Sequence, residues 1–341
     1  MLEIIFVLIG TFVGAGFASG KEVFNFFTIF NFYSIISILF FSFLLFIIIF
    51  KCLNIKQKLN LNNYFEFINY LENKYKFLNS KFFLLIINIF LASSFYIMVI
   101  ALSALFNYQF NISKYITIFI TLLICFIVLY KKNIKFIYLI NSILMPILIL
   151  FIIFLCFFNI NFNNINYLNT NSNIFVAIFT GLLYFSYNSL LLIPIIFDLK
   201  FEFNYKKNFI IAFFYSLIIF LLMILINLLL LTFYNLIYNL ELPILYIANS
   251  SFKIFSYLYF FIILSAIFTT MISSGYSFVS NFNNKYINIK LIVFLLFSFV
   301  FCSFSFSDLI NFFYPLFGLI GFIQIFLILI NKYWKNALKL I

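Results

Sequence analysis

Residues Gly10-Thr-Phe-Val-Gly-Ala-Gly-Phe-Ala-Ser-Gly20 contain four of the 8 glycines in the chain. They lie inside an otherwise apolar run from Leu2 to about Phe30, and about 20 apolar residues are enough for a membrane span. Glycine in a helix interior costs roughly 1 kcal/mol relative to alanine and lets the backbone leave helical dihedral angles. The segment therefore predicts a membrane-spanning helix that is broken near its middle.

The composition predicts an all-α polytopic membrane protein. Of the 341 residues, 67% are hydrophobic and only 8% are charged, which leaves too little polar surface for a soluble domain of this length. Glu3 and the lack of a basic n-region predict that the first segment is retained as a span. The net charge of +12 comes from lysines in short loops, so it indicates membrane topology rather than nucleic-acid binding.

Residue types that carry chemistry are scarce. The chain has no histidine, which excludes histidine-based catalysis and metal sites with imidazole ligands. The four cysteines are far apart in apolar runs and are interpreted as packing residues, and no enzyme activity or bound cofactor is expected. Most acids fall at span ends or in loops and are interpreted as solvated charges, namely Glu66, Glu72, Asp198, Glu202, Glu241 and Asp308.

Ten apolar segments are long enough to cross a bilayer: 2–30, 32–51, 82–106, 114–130, 136–158, 173–197, 208–236, 254–281, 288–304 and 308–331. If the N-terminus is cytoplasmic, 17 of the 20 lysines fall in cytoplasmic segments. Lys114 and Lys253 fall outside, and Lys21 falls within the first span. The positive-inside rule then predicts a protein of the cytoplasmic membrane with both termini cytoplasmic.

The two halves of the chain have corresponding features. Thr180-Gly181 interrupts the sixth span about half a chain length after Gly14, and five spans per half force opposite orientations. This pattern is typical of an inverted repeat in which paired broken helices mark a binding site. The predicted units are a first repeat (1–158), a second repeat (173–331) and a cytoplasmic tail (332–341). The segment 52–81 could form an amphipathic surface helix, and 159–173 is interpreted as a solvated loop.

The glycine cluster has a functional and a structural interpretation. Unwinding would free backbone N–H and C=O groups, which are costly in hydrocarbon unless a cavity or ligand satisfies them. A substrate carboxylate could bind the freed N–H groups of a half-helix. The alternative is a helix-packing face with glycines four residues apart. The candidate substrate-binding residues are Gly14, Ala15, Gly16, Phe17, Ser19 and Gly20.

Glu22 is the carboxylate that the sequence places well inside a span. Ionisable groups at such depth are candidates for function by default. Glu22 could bind a substrate ammonium or a proton, or it could belong to a structural ion pair. Lys21 is its neighbour, but consecutive helical residues point about 100° apart, which makes a pair between them poor.

The sixth and eighth spans also carry polar clusters. The candidates in the sixth span could line a cavity or make interhelical hydrogen bonds; they are Thr180, Gly181, Tyr184, Ser186, Tyr187 and Asn188. The eighth span offers hydroxyls that could bind Na⁺ or could donate to carbonyls of their own helix; they are Thr269, Thr270, Ser273 and Ser274.

The first-span motif resembles a known family. Val13-Gly-Ala-Gly-Phe-Ala-Ser-Gly20, followed by Lys21-Glu22 and Phe26-Phe27, is similar to the motif of YkvI-type bacterial membrane proteins in the amino acid–polyamine–organocation superfamily. Lys21 stands where those proteins usually have glutamine. The resemblance implies a leucine-transporter-type fold of two inverted five-helix repeats, with spans 1 and 6 broken. It also implies an ion site between backbone near Val13 and Gly16 and the hydroxyls of Thr269 and Thr270.

These observations predict a secondary active transporter that moves a small solute, an amino acid or related compound, coupled to Na⁺ or H⁺. Its expected partners are the solute and the lipid bilayer. A membrane sensor or scaffold that retained the fold without transporting is the alternative. A channel and an enzyme are disfavoured, the enzyme because histidine is absent.

Overall fold

The computed structural model describes residues 2–75, 80–131, 135–160, 173–199, 204–251, 253–280 and 287–330. In these ranges the regular structure is helical throughout. The tail predicted at 332–341, and nearly all of the loop predicted at 159–173, lie outside the described residues.

The helices follow the apolar segments of the sequence. In chain order they are α1 (Leu2–Phe12), α2 (Ala15–Ser19), α3 (Lys21–Phe26), α4 (Phe32–Leu59), α5 (Tyr64–Lys74), α6 (Ser80–Phe110), α7 (Lys114–Lys131), α8 (Lys135–Asn159), α9 (Ile174–Asp198), α10 (Tyr205–Thr232), α11 (Tyr234–Ile237), α12 (Pro243–Ser251), α13 (Lys253–Ser280), α14 (Ile287–Leu296) and α15 (Phe306–Ile330). Two 3₁₀ turns, at Thr28–Phe30 and Phe297–Phe301, extend α3 and α14.

Six of the described helices, α4, α6, α9, α10, α13 and α15, are long and apolar enough to cross a membrane. Shorter apolar helices cover Lys114–Tyr130, Pro146–Asn159 and Asn288–Phe301. The prediction of a multi-pass helical membrane protein is therefore confirmed.

The first apolar segment is broken, as the glycine cluster predicts. Helix α1 ends at Phe12, and Gly14 is extended with φ −83° and ψ −176° before α2 begins. Gly20 then adopts the left-handed conformation with φ +81° between α2 and α3. A side chain at Gly20 would be strained there, and its Cβ would lie 2.7 Å from Ile244 Cγ1. The turn between α2 and α3 therefore requires glycine at position 20, whereas the extended backbone of Gly14 is one that other residues also adopt.

The second predicted break, in the sixth apolar segment, is wrong. Helix α9 is continuous from Ile174 to Asp198. A single glycine costs a helix only about 1 kcal/mol, which tertiary packing overrides. A Cβ on Gly181 would collide with Ser37 Oγ and approach Phe27 Cε1 at 3.2 Å. Gly181 therefore serves close packing of α9 against α4 and the end of the first apolar segment.

Helices α9 and α15 are in backbone contact. A Cβ on Gly318 would lie 2.6 Å from the carbonyl oxygen of Leu183, and one on Gly321 would collide with the carbonyl oxygen of Ser186. Small residues let membrane helices approach this closely, and van der Waals contact drives their association. The close packing of α9 and α15 therefore fixes the positions of the side chains that project from them.

Two lysines bind the C-terminal ends of this pair. Lys56 Nζ donates to the carbonyl oxygens of Ile196 at 3.1 Å and Phe197 at 2.6 Å, and Lys51 Nζ donates to that of Leu329 at 2.8 Å. Cations stabilise helix C-termini by satisfying the last carbonyls. We call this end of the molecule the lysine-rich end.

Helix α5 lies at the lysine-rich end, so the amphipathic helix predicted within 52–81 is confirmed as a helix. Asn63 caps it by accepting from the Glu66 N–H at 2.8 Å. Phe67 stacks on Phe197 with ring centroids 4.0 Å apart. Asp198 accepts from the Tyr64 N–H at 3.1 Å, which places a carboxylate at the N-terminus of α5. The helix therefore packs against the end of α9.

We expect Gly321→Ala to destabilise the protein by roughly 1–3 kcal/mol, because its methyl group would push against backbone that cannot rotate away. The matched control is Gly14→Ala, whose methyl group would meet only Thr270 Cγ2, at 3.9 Å. Thermal unfolding in detergent should show a lower melting temperature for Gly321→Ala than for Gly14→Ala. Equal melting temperatures would contradict the close contact between α9 and α15.

Candidate functional site

The Glu22 carboxylate is buried among three tyrosines. Its side chain is 2% exposed, and Tyr184 donates its hydroxyl to Glu22 Oε2 at 3.1 Å. The phenols of Tyr187 and Tyr314 lie beside the same carboxylate. The rings of Tyr187 and Tyr314 stack with centroids 4.2 Å apart. The site therefore joins α3 to the α9–α15 pair.

The carboxylate folds back against helix α2. A Cβ on Gly16 would overlap the Glu22 carboxylate, so the carboxylate occupies the space that a side chain at position 16 would take. The left-handed turn at Gly20 lies between the two residues and separates α2 from α3. Glycine at position 16 is thus required for Glu22 to reach its tyrosine partners.

An apolar aromatic shell surrounds Tyr184. Its ring centroid lies 5.3 to 5.9 Å from those of four phenylalanines, Phe12, Phe26, Phe27 and Phe41. Aromatic pairs at such distances contribute roughly 0.5–1.5 kcal/mol beyond area burial. The shell keeps the polar centre in surroundings of low polarity, where hydrogen bonds and charges act more strongly than in water.

The described residues bring no positive charge to Glu22. The polar side chains around its carboxylate are the phenols of the three tyrosines. Lys21 turns away, with Nζ 3.4 Å from the Tyr238 carbonyl oxygen and 5.4 Å from the Phe24 ring centroid. The predicted poor pairing of Lys21 with Glu22 is therefore confirmed. A buried charge without a partner is strongly unfavourable. The negative charge of this carboxylate must therefore be neutralised by a proton or compensated by a bound cation.

Lys21 belongs to a charge cluster at the end opposite the lysine-rich end. Its positive charge interacts electrostatically with the carboxylates of Glu241 and Asp308. Burial raises the pKa of the Glu241 carboxyl above its ordinary value, and the positive charges of Lys114 and Lys21 oppose that effect. The interpretation of Glu241 as a solvated loop charge is corrected, because the fold covers much of it.

The same end is closed by hydrogen bonds between helices. Asn25 Nδ2 donates to Asn311 Oδ1 at 2.7 Å and joins α3 to α15. Thr28 donates to Asn227 Oδ1 at 2.9 Å, and Asn227 Nδ2 donates to Ser34 Oγ at 2.8 Å. These contacts hold α3 against α10 and α4.

Helix α13 lies along the break in the first apolar segment. Tyr259 donates its hydroxyl to the Ala18 carbonyl oxygen at 2.5 Å. Thr270 Cγ2 lies 3.9 Å from the position of a Cβ on Gly14. The eighth apolar segment is therefore close to the break, as the resemblance implies, and it contacts the chain at both Ala18 and Gly14.

The candidate ion ligands are only partly brought together. Thr270 reaches the break, whereas Ser273 lies one turn further along α13 and is exposed. The hydroxyls of Thr269, Thr270, Ser273 and Ser274 all donate to carbonyls of their own helix. On the other side, the Gly16 carbonyl accepts from Ser19 Oγ at 2.8 Å, and the Val13 N–H donates to Ile9 at 2.8 Å. These hydrogen bonds fit the alternative interpretation, in which the hydroxyls of α13 donate within their own helix. Thr270 is the candidate ion ligand that lies nearest to the break.

The remaining predicted residues have structural contacts. Thr180 donates to the Phe26 carbonyl oxygen at 3.1 Å, which is the interhelical bond considered as an alternative. Asn188 donates to the Tyr184 carbonyl oxygen within α9, and Ser186 Oγ is buried with no hydrogen-bond partner among the described residues. Ala15 and Phe17 are fully buried on α2, where the Phe17 ring packs against Phe12.

Tyr314 is the site residue that sequence reasoning missed. It lies in an apolar run of α15 beside Pro315 and carries no motif. The available signal is helical spacing, because Asn311, Tyr314, Gly318 and Gly321 recur at intervals of three and four residues. Polar and small residues on one face of an apolar helix indicate the side that faces other helices.

A double-mutant cycle tests the contact between Gly16 and Glu22. Gly16→Ala should destabilise the protein, because its methyl group displaces a carboxylate enclosed by three phenols. In a Glu22→Ala background the same change should have little effect, which gives a coupling energy of about 0.5–3 kcal/mol from thermal unfolding. Additive effects of the two substitutions would show that the side chain of Glu22 lies elsewhere.

A scan against protein-family models found no matching family, and a search of curated proteins found no match to this sequence. Membership of the YkvI-type group therefore stays a prediction from the motif of the first apolar segment.

Proposed function

We propose that this protein is a secondary active transporter that moves a small solute, an amino acid or related compound, across the cytoplasmic membrane by alternating access. The observation that carries the proposal is the buried Glu22 carboxylate at a break in the first apolar segment. Ionisable groups inside membrane helices mark substrate or ion pathways, and broken helices mark binding sites in secondary transporters.

The proposed architecture has ten spans in two inverted repeats of five. Each of the ten apolar segments of the sequence contains helix in the described residues, which supports the count. The lysine-rich end would be cytoplasmic, with both termini on that side, as the positive-inside rule favours. The YkvI-type motif supports a leucine-transporter-type arrangement, although only the first of its two characteristic breaks is present.

In the proposed mechanism, Glu22 binds the solute or a coupling proton, and the tyrosines of α9 and α15 position its carboxylate. Release of the contacts at the end opposite the lysine-rich end, such as that between Asn25 and Asn311, would open the site to that side. The coupling ion is proposed to be H⁺ on Glu22 or Na⁺ near the backbone of Val13 and the hydroxyl of Thr270. Alternating exposure of one site then moves the solute.

The test begins with a thermal-shift screen of the purified protein against amino acids and related amines, with and without Na⁺. A compound that stabilises the protein is then used in counterflow with proteoliposomes. Glu22→Gln should weaken binding by about 30-fold or more, since truncating a buried charged partner costs roughly 2–5 kcal/mol. Counterflow should fall accordingly.

Glu72→Gln on α5 is the matched control and should transport normally, because Glu72 lies outside the site. Unchanged counterflow in Glu22→Gln would refute the assigned site. Binding without any counterflow in the wild-type protein would instead favour the sensor or scaffold that retained the fold.

A further inference from the structure

We propose that an anionic phospholipid binds across the contact between α4 and α10 at the lysine-rich end, with its phosphate at Lys58 and Lys206. The inference depends on the membrane class of the protein and is independent of transport at Glu22. We call this contact the α4–α10 seam. It is defined by the pairs Lys58–Tyr205, Asn54–Asn208 and Phe50–Phe209.

The seam follows one side of each of two antiparallel helices. The end of α4 lies beside the start of α10, and near the opposite end of the pair Asn227 Nδ2 donates to Ser34 Oγ at 2.8 Å. The seam residues recur every four positions, which places them on one side of each helix: Phe46, Phe50, Asn54 and Lys58 on α4, and Tyr205, Phe209 and Phe213 on α10.

The first level of the seam gathers positive charge. Lys58 Nζ lies 5.7 Å from the ring centroid of Tyr205, and Lys206 is exposed in the first turn of α10. That turn contains no acidic residue, and a helix N-terminus adds partial positive charge. On a helical wheel Lys206 lies about 60° from Phe209, whereas Lys207 lies about 160° away. Lys206 is therefore the lysine of this pair that belongs to the side of the seam.

The second level of the seam consists of amide side chains. Asn208 Nδ2 donates to Asn54 Oδ1 at 2.7 Å and to Gln57 Oε1 at 3.0 Å. Asn54 Nδ2 and Asn208 Oδ1 are buried without a hydrogen-bond partner among the described residues. Unsatisfied polar atoms are costly in hydrocarbon. Polar groups at this depth match the glycerol ester region of a phospholipid and the water that accompanies it.

The third level of the seam is a strip of aromatic rings. The ring of Phe209 meets those of Phe46 and Phe50 edge-on, with centroids 5.5 and 5.9 Å apart, and Phe213 stacks on Phe209 at 6.2 Å. Phe209 is 38% and Phe213 44% exposed, so both offer apolar surface to lipid. The strip provides a surface against which an acyl chain can pack.

The order of these three levels favours a phospholipid as the occupant. Ammonium, amide and phenyl groups follow one another from the lysine-rich end, which is the order of phosphate, ester and acyl chain in a lipid. A soluble anion would use the first level alone. A zwitterionic lipid brings its own ammonium group, so two lysines favour a lipid with net negative charge. Basic sites between membrane helices bind anionic head groups in this way.

Quenching of a single tryptophan by brominated lipid tests the inference. The background replaces Trp334, the one tryptophan of the chain, with phenylalanine. The reporter at the seam is Phe213→Trp. The control is Phe261→Trp on α13, a position that is 63% exposed and, like Phe213, lies eight residues after the start of its helix. Proteoliposomes contain phosphatidylcholine and a rising fraction of brominated phosphatidylglycerol, and quenching gives the relative binding of the two lipids.

We expect phosphatidylglycerol to be preferred by about 5-fold or more at Phe213→Trp, the factor that corresponds to roughly 1 kcal/mol for one lysine near anionic lipid. No preference is expected at Phe261→Trp. Added Lys206→Gln or Lys58→Gln should each reduce the preference severalfold. Lys207→Gln is the matched control, because it removes the same charge from the opposite side of α10, and it should leave the preference unchanged.

The absence of a preference at Phe213→Trp, or an equal preference at Phe261→Trp, would overturn the proposal. Equal losses in Lys206→Gln and Lys207→Gln would also overturn it, because they would show diffuse attraction to surface charge instead of binding at the seam. If Lys58→Gln does not fold, the comparison of Lys206→Gln with Lys207→Gln decides, since Lys206 is exposed. Neither result depends on counterflow, so failure of this site leaves the proposed transport function standing.

Discussion

The structure depends on one constraint, the burial of the Glu22 carboxylate without a positive partner among the described residues. Charge in a membrane interior is tolerated only where hydrogen bonds, a proton or a cation compensate it. The Tyr184 hydroxyl donates a hydrogen bond to the Glu22 carboxylate, and the phenols of Tyr187 and Tyr314 lie beside it. Because no positive side chain of the described residues acts on Glu22, the site differs from a structural ion pair.

The glycines show how one residue type serves two purposes in the same bundle. Gly20 allows the chain to turn with a positive φ between α2 and α3, and Gly16 leaves room for the Glu22 carboxylate. Gly181, Gly318 and Gly321 stay within helices and let backbones and side chains of neighbours come close. The first set creates a polar site, and the second fixes the helices that hold it. The density of glycines along the sequence distinguishes the two sets. A single glycine costs a helix only about 1 kcal/mol, which tertiary packing overrides.

The two ends of the described structure differ in the contacts that hold them together. At one end, Lys21 is buried and Asn25 donates to Asn311, which joins α3 to α15. Toward the lysine-rich end, Val7 on α1 and Ser273 on α13 are exposed. At that same end α9, α15, α4 and α5 are bound to one another through Lys51, Lys56 and Asp198.

The sequence by itself determined the helical membrane class, the break between Gly10 and Gly20, and the position of Glu22 inside the bundle. These are local properties, since hydrophobicity and glycine density act on the segment that carries them. Only the tertiary structure decided that α9 is continuous, that the side chain of Glu22 fills the space above Gly16, and that Tyr314 joins the site. Tyr314 and Glu22 are almost 300 residues apart, and their contact depends on the rotation of α15 about its axis. That rotation is set by the close approach of Gly318 and Gly321 to α9, a packing relation between helices that no single segment encodes.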